Sequence, residues 1–261
     1  MQLIDSSYVI AGALTGFLVG LTGVGGGALM TPILLLFFGI TPTTAVATDL
    51  WFAAITKMVG ARVHHGAGQV DWQVVKRLWW GSLPTALTVV ILVRCGAQLI
   101  QVHWLPQAIG LVVLITALGL LFAPNLSSLA STRHLGNLKK FKAAQPALTV
   151  VAGAVLGLCV ALTSVGAGVL SCLILVCLYP SRITAHRLVA TDIVHAIPLA
   201  MVAGLGYLFA GMVDWLMLFS LLLGSIPFVL LGSLLVGKLP ARWIQVAVAL
   251  VLMAVGSKLL L

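Results

Sequence analysis

Eight long apolar stretches set the pattern of this chain, at about residues 8–38, 43–63, 72–94, 104–123, 147–178, 185–208, 214–236 and 241–260. A helix needs about 20 residues to cross the hydrocarbon core of a bilayer. The first and fifth stretches are longer than one crossing needs. Thr22-Gly23-Val24-Gly25-Gly26-Gly27 cuts the first, and Thr163-Ser164-Val165-Gly166-Ala167-Gly168 cuts the fifth. Each glycine weakens a helix by about 1 kcal/mol. The pattern therefore predicts an all-α polytopic membrane protein. Each interrupted segment reads as two half-helices joined by a loop at membrane depth. Such a loop persists in lipid only where protein buries it or it lines a cavity.

The pattern occurs twice. Gly68-Gln69-Val70-Asp71-Trp72 and Gly81-Ser82-Leu83-Pro84 reappear 143 residues later as Gly211-Met212-Val213-Asp214-Trp215 and Gly224-Ser225-Ile226-Pro227. The same offset carries Ala47-Thr48-Asp49 onto Ala190-Thr191-Asp192. An offset of 141 carries Leu21-Thr22-Gly23-Val24-Gly25 onto Leu162-Thr163-Ser164-Val165-Gly166. The expected organisation is a first repeat over 1–123, a cytoplasmic linker over 124–145 and a second repeat over 146–261. Each repeat is a glycine-interrupted segment followed by three transmembrane helices. Duplicated transporter folds bind solutes where the repeats meet.

Composition agrees. Of 261 residues, 61% are hydrophobic and 7% charged, against about 25% charged in a soluble domain. The net charge of +9 is therefore no nucleic-acid footprint. Met1-Gln-Leu-Ile-Asp5 lacks the basic start of a cleavable signal peptide, so none is expected. Lys and Arg gather in cytoplasmic loops, which chooses between two topologies. If all eight segments cross once, the basic residues divide 8 against 5. If the two interrupted segments enter and leave on one side, they divide 11 against 2, with Lys57 inside the membrane. The second arrangement is expected, and it makes the repeats inverted. Both termini then lie outside the cytoplasm.

The candidate chemistry follows the repeats. A half-helix that starts at a glycine turn presents free backbone N–H groups and roughly half a positive charge. Two such tips would form an anion site without a side-chain cation. Close helix packing through small residues is the structural alternative. The chain has no Glu, and four of its five Asp fall in the repeat pairs. Asp49 and Asp192, each about two turns into a helix, are either ion-coupling carboxylates or caps that steady the broken loop. His195 follows Asp192 by three residues, on the same helix face, and either shares a proton with it or is structural. Thr41-Pro42 reads as a helix start for the first acid, and Ser181 or Thr184 for the second. Lys57 draws an anion or snorkels to the cytoplasmic interface, and snorkelling is expected. Asp71-Trp72 and Asp214-Trp215 read as helix caps with interfacial tryptophans. Pro84, Pro198 and Pro227 are expected to kink their helices. Cys95, Cys159, Cys172 and Cys177 read as packing residues. Neither they nor His64-His65 read as a metal site, and no cofactor is expected.

Gly16-Phe17-Leu18-Val19-Gly20-Leu21-Thr22-Gly23-Val24-Gly25-Gly26-Gly27, then Leu29 and Pro32, resembles the opening signature of the TauE/SafE sulfite exporter family. The Ala-Thr-Asp, Val-Asp-Trp and Gly-Ser-x-Pro elements resemble its later motifs. The resemblance covers essentially the whole chain. It implies a bacterial or archaeal inner-membrane carrier of small sulfur-containing anions such as sulfite, thiosulfate or an organosulfonate. The second repeat departs from the first, with Ala167 at the position of Gly26 and Leu173 at that of Pro32.

The expected function is a secondary transporter, not an enzyme, in which one repeat rocks against the other. Expected substrate ligands are Thr22, Gly23, Gly25, Gly26, Gly27, Thr48, Thr163, Ser164, Gly166, Gly168 and Thr191. Expected ion-coupling residues are Asp49, Asp192 and His195, acting on a proton or another coupling ion. A channel-like anion pore is the alternative, and oligomeric state is left open.

Overall fold

The structure, a computed structural model, describes residues 5–22, 27–63, 70–94, 104–133, 138–179, 185–235 and 241–260. Among these residues all regular structure is helical: α1 Ser6–Thr22, α2 Gly27–Phe38, α3 Pro42–Val63, α4 Trp72–Arg94, α5 Leu105–Arg133, α6 Leu138–Thr163, α7 Val169–Leu178, α8 Ala185–Phe209, α9 Trp215–Leu235 and α10 Ala241–Leu260. Among the described residues, four stretches are long and apolar enough to span a membrane: Leu105–Phe122, Ala144–Thr163, Arg187–Phe209 and Trp215–Leu235. Ser6–Leu21, Ala28–Phe38, Val169–Leu178 and Gln245–Leu260 are shorter apolar helices. Large apolar side chains such as Leu14, Phe37, Phe209 and Phe219 stand exposed on the outside, as a lipid-facing surface requires and a wetted one seldom tolerates.

Local chemistry explains the helix starts. Pro42 opens α3, where its fixed φ and missing N–H suit the first turn. The Asp71 carboxylate accepts the Val74 N–H at 3.4 Å, and Asp214 accepts that of Met217 at 3.0 Å, each satisfying a donor with no helical partner. Trp72 and Trp215 follow as exposed first residues. Ser181 and Thr184 lie outside the described residues. Pro84, Pro198 and Pro227 sit inside α4, α8 and α9.

Both interrupted segments break where expected, between α1 and α2 and between α6 and α7. In the second, Ser164, Gly166 and Gly168 take positive φ values of 57°, 116° and 142°, so the chain leaves the right-handed helix there. The pieces are not two equal halves. α1 and α6 have 17 and 26 residues, whereas α2 and α7 have 12 and 10. The glycines fall late in each segment, so only the second piece is short. The stretch read as a polar linker is also largely helical. α5 runs past Pro124 to Arg133, and α6 begins at Leu138.

Packing interlocks the two sequence halves. α1 lies along α9, and their counterparts α6 and α4 lie along each other. α3 meets α8, and α5 meets α10. Contacts thus exchange when the halves are exchanged. Glycines make the tightest of them. A Cβ at Gly81 of α4 would strike the Val150 carbonyl oxygen of α6, and one at Gly224 of α9 would strike the Val9 carbonyl oxygen of α1. Gly153 and Gly12 make the return contacts on the Leu78 and Leu221 carbonyls. Small residues let transmembrane backbones approach in this way.

Gly81→Ala should therefore force α4 from α6 at a cost of about 1–3 kcal/mol, read as earlier thermal unfolding in detergent. Gly60→Ala, whose added methyl meets open space on α3, should leave stability unchanged or raise it by up to about 1 kcal/mol. Equal stability of the two variants would contradict the close contact.

Candidate functional site

α3 and α8 lie together at the centre, joined by the Trp51 indole N–H donating to the Gly204 carbonyl at 3.1 Å. Each carries its Ala-Thr-Asp element into the core. Asp49 is fully buried. Thr31 of α2 donates its hydroxyl to Asp49 Oδ2 at 2.5 Å. The Ser164 hydroxyl, from the α6–α7 loop, neighbours the same carboxylate. Among the described residues, Asp49 Oδ1 and Ser164 Oγ have no partner beyond this neighbouring pair.

Asp192 has a different environment. Lys57 of α3 donates to Asp192 Oδ2 at 2.9 Å, and to the Ala167 carbonyl of the α6–α7 loop at 3.1 Å. One ammonium thus ties α3, α8 and the loop together. The lysine and aspartate side chains are 4% and 2% exposed. Asp192 Oδ1 has no partner. One turn along α8, His195 Nε2 lies 3.0 Å from Ser82 Oγ of α4, while Nδ1 has no partner. Asp192 and Lys57 act electrostatically on both His195 and the Cys172 thiol of α7.

Lys57 therefore corrects the snorkelling expectation. It lies within α3 and points across the core. A buried ammonium needs a counter-charge, and the register of α3 against α8 supplies Asp192.

Thr48 and Thr191 do a second job. Thr48 Oγ1 accepts the Asp214 backbone N–H at 3.3 Å, and Thr191 Oγ1 accepts that of Asp71 at 3.2 Å. Each repeat's threonine thus holds the other repeat's Val-Asp-Trp turn. Thr163 is also engaged, donating to the Cys159 carbonyl at 2.6 Å and accepting the Val165 N–H at 3.1 Å. Ser164, Gly166 and Gly168 lie buried in the loop before α7. No side chain caps that helix, whose N-cap is Gly168. Thr22 closes α1 and Gly27 opens α2. Gly23, Gly25 and Gly26 lie outside the described residues, as do Cys95 and His64-His65.

The duplication gives two acids, and point differences set them apart. Ala200 stands where the second repeat would match Lys57, Phe52 where the first would match His195, and Cys172 where the second would match Thr31. Ser225, the match to Ser82, has no hydrogen-bond partner. A buried polar group left unpaired costs about 1–3 kcal/mol. Among the described residues, Asp192 Oδ1 and His195 Nδ1 are buried without a partner, and each such group calls for an explanation. Thr31 and Ser82 were not foreseen beside Asp49 and His195, and Lys57 was weighed as drawing an anion but expected to snorkel. An ionisable residue inside an apolar helix, as Lys57 is, was the available signal.

The family described as "Sulfite exporter TauE/SafE" matches residues 8–259. The chain belongs to this family. It is an integral membrane protein and a membrane transporter. It is 36% identical over 264 residues to the "Probable membrane transporter protein YjnA" of Bacillus subtilis (strain 168), covering 97% of this chain and 99% of that one. Shorter matches are the "Probable membrane transporter protein YunE" of the same organism, 39% identical over 71 residues and covering 26% of each chain, and a "Probable membrane transporter protein" of Haemophilus influenzae, 36% identical over 77 residues and covering 27% of this chain and 29% of that one. No solved structure matches it significantly.

Proposed function

We propose that this TauE/SafE protein is a proton-coupled secondary transporter of a small sulfur-containing anion, such as sulfite, thiosulfate or an organosulfonate, in a bacterial or archaeal plasma membrane. The observation that carries the reading is the buried Ser164–Gly168 loop. It combines left-handed backbone, a helix start without a side-chain cap and the neighbouring Asp49 carboxylate and Lys57 ammonium. The helix start favours negative charge, and Ser164 supplies a hydroxyl donor. The Thr22–Gly27 tract matches this loop in sequence and is the proposed counterpart from the first repeat. Asp49, which has no ion-pair partner among the described residues, carries the coupling proton.

The two repeats, 1–123 and 146–261, are inverted in the membrane, with the stretch between them cytoplasmic. The reciprocal packing of matching helices supports this arrangement. The same packing relocates the rocking motion. Because α1 is locked to α9 and α4 to α6 backbone to backbone, each moving body draws helices from both repeats. The hinge between them runs through α3 and α8.

Proteoliposomes loaded with thiosulfate or sulfite test the proposal. Saturable efflux that accelerates with the same anion outside is expected. Ser164→Gly removes the hydroxyl while easing the backbone, and should slow that flux about tenfold, the worth of one hydrogen bond to an anion. Flux without such acceleration would contradict the carrier reading. Unchanged flux in the variant would contradict the site.

A further inference from the structure

The Lys57–Asp192 pair has the features of an occupied anion site rather than of a fixed strut. We infer that Asp192 is a built-in counter-anion, and that the transported anion binds by taking its place on the Lys57 ammonium. The inference rests on the proposed sulfur-anion transport and assigns that substrate its charged ligand.

Four observations lead there. First, the ammonium is buried, so some anion must accompany it in every state. Exchange of one anion for another meets that need, whereas simple addition of substrate or simple opening of the pair does not. Second, the ammonium's other partner is the carbonyl of Ala167. The place beside Lys57 is therefore also beside the start of α7, where Gly168 is the N-cap and no side chain serves the free N–H groups. Ammonium and helix start together make this a position of positive potential. Third, Asp192 holds Lys57 through one oxygen only, and Oδ1 has no partner among the described residues. A permanently buried carboxylate is normally bonded through both oxygens.

Fourth, the displaced carboxylate has somewhere to go. His195 is three residues on, over the same face of α8, and its Nδ1 has no partner. When Ser82 donates to Nε2, at 3.0 Å, the neutral ring carries its proton on Nδ1 and keeps a donor for a displaced carboxylate. The groups facing Asp192 are thus Lys57 from α3, His195 from α8 and Cys172 from α7. Lys57 and His195 have no charged or titratable counterpart in the other repeat, where Ala200 and Phe52 stand, so exchange takes place at Asp192 and not at Asp49. The empty carrier stays latched, because Lys57 joins α3, α8 and the loop until an anion arrives.

Calorimetric titration of the purified full-length chain in detergent tests the inference. The probes are thiosulfate and sulfite, with nitrate and acetate as sulfur-free anions. Asp192→Asn removes the internal competitor, so binding should tighten about tenfold or more. Lys57→Met should abolish it. The doubly neutral protein, Lys57→Met with Asp192→Asn, should keep its thermal midpoint and still bind nothing. Its stability separates lost recognition from lost folding. A doubly neutral protein that binds thiosulfate or sulfite as the unmodified one does would overturn the exchange while leaving sulfur-anion transport intact. Lys57-dependent binding of nitrate or acetate, with no response to either sulfur anion, would remove the sulfur substrate and leave the exchange standing.

Discussion

Lys57→Met is expected to remove about 3–5 kcal/mol of stability. The pair it breaks lies between helices of different repeats, 2.9 Å from nitrogen to oxygen and almost without solvent. Without the ammonium, Asp192 is left as a buried carboxylate with no counter-charge. That penalty, rather than the loss of attraction, sets the size of the effect. Asp192→Asn added to the same protein removes the stranded charge and should restore most of the loss, since neutral replacements of a buried pair are often tolerated. Chemical unfolding in detergent reads both values. A Lys57→Met protein as stable as the unmodified one would mean that the ammonium reaches water and that α3 and α8 are not joined through it.

Asp49→Asn should have the opposite profile, with little change in stability and a large change in coupling. Asparagine retains an oxygen for the Thr31 hydroxyl, which donates to Asp49 Oδ2. It cannot take up and release a proton as a carboxylate does. No ion pair depends on Asp49 among the described residues, so its neutralisation strands no partner. Flux driven by an imposed proton gradient should fall at least about tenfold, while downhill exchange of the anion continues. The tenfold figure corresponds to about 1.4 kcal/mol added to the barrier of the coupled step. Gradient-driven flux that survives in Asp49→Asn would take the proton away from this residue.

Much of this arrangement is legible in the sequence because the duplication marks it. The two glycine tracts announced the breaks after Thr22 and Thr163. Asp71 and Asp214 announced helix starts, because a carboxylate before an apolar run has unsatisfied N–H groups to accept. Asp49 and Asp192 stood out as acids at matching depth. The partner of Lys57 was not legible. Asp192 lies 135 residues away, and helical periodicity gives the face of a helix but not its register against another. The difference between the two acids was likewise hidden in Ala200 and Phe52, which look like ordinary packing residues until their counterparts are seen at work. Gly81 and Gly224 were visible as repeated elements, but their role depends on a carbonyl oxygen of another helix. The length of α6 was missed because its polar first turns resemble a linker in composition.

The most direct measurement is a structure of the protein soaked with selenite, the heavy-atom counterpart of sulfite, located by anomalous scattering from selenium. A selenium peak beside Lys57 Nζ and the Ser164–Gly168 loop, with the Asp192 carboxylate turned away towards His195, is the predicted result. Selenium found only on the outer basic surface, with the Lys57–Asp192 pair still closed, would contradict it.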